Sequence, residues 1–145
     1  MPDTPEDREV VDFFAAFGTA SASLNTGALT ACFAESFMAA DPSGAQPVLR
    51  AAFLSILPKR KALFTAAGIA NVSLTGLEHR SLDDSYVLAH TSWTAERDDS
   101  RVGEEPVTLL STFILHRTAD GLRIVFYLNH RNLDDALSPG LDATS

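Results

Sequence analysis

The chain has 145 residues, 46% hydrophobic and 21% charged, with a net charge of −8 and a single cysteine. That length suits one domain with a full core, the acidity argues against nucleic acid and anionic membranes as partners, and one cysteine excludes an internal disulfide framework. No apolar run approaches the ~18–20 residues of a membrane helix, and the acidic opening "MPDTPEDREV" does not read as a signal peptide, so the expected compartment is the cytoplasm.

Thr4-Pro5-Glu6-Asp7 is a helix start: a capping threonine, a proline suited to the first position and two acids in the first turn. Val10, Phe13, Phe14, Phe17 and Leu24 recur near helical spacing and make one apolar stripe. Asn25-Thr26-Gly27 interrupts it, and a short second helix follows with Leu29, Cys32 and Phe33 inward. The setting Ala31-Cys32-Phe33 reads as a buried small hydrophobe and not a nucleophile. Phe37–Ala40 is a short strand ending at Asp41-Pro42-Ser43-Gly44. A third helix is expected from about Pro47 to Ala67, burying Leu49, Phe53, Ile56, Leu63 and Phe64, kinked or split at Pro58 and closed by Gly68. Lys59-Arg60-Lys61 reads as its solvated face.

From Ile69 the pattern changes to strands: Ile69–Arg80, Tyr86–Arg97 after the turn Leu82–Ser85, Pro106–Arg117 after the loop Asp98–Glu105, and Leu122–Arg131 after the tight turn "TADG". The domain is expected over residues 1–133, with a flexible tail over 134–145. Helices first and strands last imply an α+β fold, a curved antiparallel sheet with the helices on one face and a cavity between them.

Pairing Arg117 with Leu122 across the last turn puts Leu115 opposite Ile124, Phe113 opposite Phe126, Ser111 opposite Leu128 and Leu109 opposite His130, all on the more apolar face. A one-residue slip would undo that set. On this facing His130 points inward, His116 outward, and truncating Phe126 to alanine should cost about 3–5 kcal/mol. In Tyr86–Arg97 the less polar set contains Trp93, which goes inward and leaves His90 outward. The outer face, with Leu110, Ile114, Val125 and Tyr127, is still apolar enough to suggest a homodimer through it.

The order of elements, "VVDFFAAF" before a short second helix, and the closing "GLRIVFYLNHRNL" resemble the nuclear transport factor 2-like superfamily, and within it SnoaL-like domains, over about residues 5–133. The resemblance implies a cone-shaped α+β barrel with a pocket between helices and sheet. It covers isomerases, polyketide cyclases, dehydratases, hydrolases and non-catalytic binding domains. The likeness to ketosteroid isomerase would make Asp41 a proton shuttle. That pattern's enolate-stabilising tyrosine falls on Phe14 and its protonated aspartate at or near Phe113, so the oxyanion donors are missing and steroid isomerisation is not expected.

The leading expectation is a pocket protein for a compact apolar or aromatic metabolite, lined by Phe14, Phe37, Trp93, Ser111, Phe113 and Phe126. A cofactor-independent cyclase, isomerase or dehydratase using Asp41 as general base with His130 is the enzymatic alternative; a structural dimerisation module is the third. Each feature has an ordinary counterpart. Asp-Pro-Ser-Gly is good turn chemistry anywhere, a buried histidine can be satisfied by a carbonyl, and the aromatic residues can simply fill a core. The histidines at 79, 90, 116 and 130 lack metal-ligand spacing, no glycine-rich phosphate loop or nucleophile elbow occurs, and no cofactor or metal is expected.

Overall fold

The computed structural model describes residues 5–98 and 105–131, without the side chain of Glu6; the expected cap at Thr4, most of the Asp98–Glu105 loop and the tail lie outside the described residues. Helix α1 (Pro5–Ser23) is followed by a single turn, α2 (Thr26–Thr30). Strands β1 (Phe33–Asp41) and β2 (Gly44–Leu49) form a hairpin, helix α3 spans Arg50–Ala66, and β3 (Ile69–Ser81), β4 (Tyr86–Arg97), β5 (Val107–Thr118) and β6 (Gly121–Asn129) complete a six-stranded sheet ordered β2-β1-β6-β5-β4-β3. All neighbours run antiparallel except β1 and β6, which are parallel. No helix among the described residues is long and apolar enough to cross a membrane.

The α1 stripe works as its spacing requires. Val10, Phe14 and Phe17, at i, i+4 and i+7, are buried, and Phe13 stacks on Phe17 with ring centroids 6.4 Å apart. The helix ends at Leu24, whose φ of 53° puts a leucine in the left-handed region glycine usually takes at this position. Asn25 N–H then bonds back to Ala20 O at 2.9 Å, while the Asn25 side chain caps α2 by accepting from Ala28 N–H at 3.1 Å. Gly68, φ 75°, closes α3 as expected.

Three expectations are corrected in the middle of the chain. Phe33 opens β1 instead of closing α2. Pro47 does not begin α3; it lies in β2, an additional strand at the edge of the sheet. A missing N–H is tolerated there because no further strand needs it. Helix α3 therefore begins at Arg50 and runs through Pro58 as one element; Phe53 is buried as expected and Leu63 and Phe64 pack partly against the core, but Leu57 is buried in place of Ile56, which is 51% exposed, and Leu49, 62% exposed, belongs to β2.

The β5–β6 hairpin keeps the expected register near its turn, Arg117 opposite Leu122 and Leu115 opposite Ile124. It then takes up one extra residue on β6, so that Ile114 faces Phe126, Phe113 faces Tyr127, Thr112 faces Leu128 and Ser111 faces Asn129. Beyond this bulge every β6 side chain changes sides relative to the expected alternation. Tyr127 turns into the core, 8% exposed, and Phe126 and His130 turn to the outer face. The facing of β4 is as read from its sequence, with Val87, Ala89, Thr91, Trp93 and Ala95 buried against the helices.

Candidate functional site

Between the helices and the inner face of the sheet lies a cavity of ≈ 310 Å³. Its walls are mostly apolar, with a cluster of rings among them. Phe17 from α1 meets Trp93 at 6.1 Å and Phe113 at 5.8 Å, both nearly edge-to-face, and Phe53 from α3 meets Phe33 at 5.1 Å. Tyr127 stacks on Phe113, 4.8 Å between centroids with the planes 9° apart, and presents its edge to Phe53. Leu24, held by its left-handed backbone, closes part of the wall.

Polar side chains interrupt the apolar wall, and several of them bond to one another. Trp93 Nε1–H donates to Thr91 Oγ1 at 2.7 Å, and Thr91 Oγ1 donates to Ser111 O at 3.0 Å. Ser111 Oγ donates to Asn129 Oδ1 at 2.9 Å. Arg60 reaches in from α3: one Nη2–H donates to the Tyr127 hydroxyl at 2.6 Å, and its guanidinium carbon stands 5.6 Å from that ring's centroid. Lys61 sits at the rim, its ammonium donating to Ala22 O at 3.0 Å. Among the described residues, no carboxylate, imidazole or thiol lines the cavity.

Sequence reasoning placed Arg60 on a solvated face and missed it. The signal was its spacing: Phe53, Leu57, Arg60 and Phe64 fall at i, i+4, i+7 and i+11, one stripe of the helix. A stripe with one arginine in an apolar row is a way of delivering a long cationic side chain over hydrophobic surface.

Of the residues singled out as ligand-binding, Trp93, Ser111 and Phe113 stand on the cavity wall. Phe14, fully buried, and Phe37, 4% exposed, belong to the packed core beside it, and Phe126 is on the other side of the sheet.

The two groups expected to do acid–base work are not brought together. Asp41 ends β1 at the hairpin tip, outside the cavity lining, and its Oδ1 accepts from Ser43 N–H at 2.8 Å and from the Ser43 hydroxyl. Those bonds, the hydroxyl first, hold its carboxyl below the ordinary aspartate value, opposite to what a general base near neutrality needs. The turn reading of Asp-Pro-Ser-Gly is the one that describes this residue. His130 lies on the outer face with its Nε2 2.7 Å from Thr112 Oγ1, which is also 3.0 Å from His90 Nδ1. The sheet itself therefore separates His130 from the cavity. Cys32 is buried at the α2–β1 junction, and burial pushes its thiol up, away from thiolate chemistry.

No family model matches the chain, and no curated protein matches it in sequence. Solved structures do match in shape. Aln2 from a Streptomyces species aligns over 97% of this chain and 98% of its own with a TM-score of 0.73 at 16% identity. An NTF2-like protein of unknown function from Shewanella oneidensis aligns over 88% and 99%, TM-score 0.68, 14% identity. An NTF2-like protein with a cystatin-like fold from Novosphingobium aromaticivorans aligns over 94% and 88%, TM-score 0.67, 21% identity. At such identities the likeness speaks to architecture, and activity has to be argued from the site. The helices packed on one side of a curved, mostly antiparallel six-stranded sheet are those of the nuclear transport factor 2-like, cystatin-like fold, and this chain has that fold.

Proposed function

We propose that the chain is a SnoaL-like small-molecule pocket protein whose cavity takes a compact apolar or aromatic metabolite. The observation that carries this reading is the aromatic cavity of ≈ 310 Å³, at the small end of the ~300–1,000 Å³ range of ligand pockets. The lining also favours binding over proton transfer, since its described residues offer hydrogen-bond donors and rings but no carboxylate or imidazole. Trp93 is the chain's one tryptophan and lies on the wall, so its fluorescence reports occupancy directly. Titration with one- and two-ring compounds should give saturable quenching. Failure of every such compound to perturb Trp93 at millimolar concentration would remove the pocket reading and leave the structural module. The cytoplasm is the proposed setting, supported by the single cysteine.

A second proposal, a homodimer through the outer sheet face, is supported by the exposure of Leu110 (51%), Met38 (38%) and Tyr86 (37%) on that side. Sedimentation should give twice the chain mass for the protein and the chain mass for Leu110→Glu; monomer at all concentrations for both would discard it.

A further inference from the structure

The cavity is lopsided in its chemistry. The protein carries a net charge of −8, yet the ionisable groups among the described lining residues, apart from the phenol of Tyr127, are Arg60 and Lys61, both cations. Arg60 has five N–H donors, of which one is used, on Tyr127, and no carboxylate among the described residues pairs with it. Because the Tyr127 hydroxyl accepts from Arg60, its own proton remains to be donated. Asn129, whose Oδ1 accepts from Ser111, keeps its amide N–H groups as donors on the same face of β6 two residues further on. A half-buried guanidinium against a phenol, with donors around it and rings beyond, meets no anionic acceptor among the described wall residues.

We infer that the cavity selects a ligand with an apolar or aromatic body and one carboxylate, the carboxylate held by the free edge of the Arg60 guanidinium and by the Tyr127 hydroxyl. The inference rests on the pocket reading above and narrows it to an anionic class. Three features favour a carboxylate. Its two oxygens match the planar fork of arginine. The charge it brings is the one the wall lacks. The charged side chains of the described wall are cations in a chain of net charge −8, so an anion finds its counter-charge here.

The test compares 3-phenylpropanoate with 3-phenylpropanamide, equal in shape and different in charge, by Trp93 fluorescence and by calorimetry on the full chain. The carboxylate should bind at least about tenfold more tightly, the range expected of hydrogen bonds to a charged group. Its affinity should fall with added sodium chloride while that of the amide does not. Arg60→Met, which keeps the length and apolar stem, should bring the two ligands to within about twofold of each other by removing the charge-assisted bonds. Arg60→Lys, keeping charge without the fork, should fall between, with a preference of about threefold. Equal binding of acid and amide to the unaltered protein would overturn the inference and leave the pocket reading standing; binding of neither would overturn both. A preference that survives in Arg60→Met would take the assignment away from Arg60. The comparison on the unaltered protein needs no variant, so a variant that fails to fold does not blunt it.

Discussion

On the inner face of the sheet Phe113, 1% exposed, lies among Phe14, Phe17 and Tyr127. One residue back along the same strand, on the outer face, the Thr112 hydroxyl stands between the imidazoles of His90 and His130, and Leu110 beyond it is 51% exposed. Both faces carry rings, Tyr86 and His116 being stacked at 4.8 Å on the outer one. The inner face packs its rings around the cavity and brings one guanidinium, Arg60, to the wall. The outer face mixes apolar and hydrogen-bonding groups, which suits solvent and a second copy alike. A strand two residues wide in period thus serves two surfaces of different purpose, and which side chain serves which is fixed by register alone.

Stability measurements break or sharpen that contrast. The largest effect is expected from Phe113→Ala, which empties the centre of the aromatic wall and should cost about 3–5 kcal/mol by urea denaturation. Phe126→Ala, on the outer face, should cost only about 1 kcal/mol, as for a partly covered side chain. A loss as large as that at Phe113 would erase the difference between the faces if independent of concentration, and would place a second copy over Phe126 if dependent on it. Tyr127→Phe keeps the stacked ring and removes the acceptor for Arg60, with an expected cost of about 1 kcal/mol; a neutral result would show that water replaces that bond without loss. The smallest effect belongs to Asp41→Ala, away from both faces. The Asp41 carboxyl is held below its ordinary 3.8, chiefly by the Ser43 hydroxyl, so its contribution is present above that value and fades as pH falls through the lower folded-state value. The melting temperatures of the two proteins should accordingly differ slightly at pH 7 and converge in strong acid; a difference that grows on acidification would contradict the turn geometry.

Much of this architecture could be read from residue order. The α1 stripe, the cap at Gly68 and the three long hairpin strands follow from periodicity and turn chemistry, and so does the register nearest the Thr118–Gly121 turn, because a tight turn fixes its neighbours. The far half of β6 could not be read. Its run Val125-Phe126-Tyr127-Leu128 is apolar at every position, so either alternation looks sound, and no glycine or proline marks the extra residue. That one residue moved a phenol into the cavity and an imidazole out of it, and with them the expected acid–base pair. Pro47 misled for a different reason. A proline before a run of helix formers resembles a first helical turn as closely as it resembles an edge strand. Arg60 was hidden by its neighbours: in a run of three basic residues the local charge pattern dominates the eye, while the seven-residue spacing from Phe53 carries the structural information.

The sheet's two lateral rims carry a consequence of their own. At one rim β2 is only six residues long and has Pro47 near its middle. At the other, β3 is 13 residues long, but its ladder to β4 is broken between Ile69 and Asn71 and again between Leu74 and Gly76. Neither border therefore offers a foreign chain a long, unbroken row of backbone partners. Among the described residues, then, both rims are poor templates for fibrous growth by stepwise strand addition.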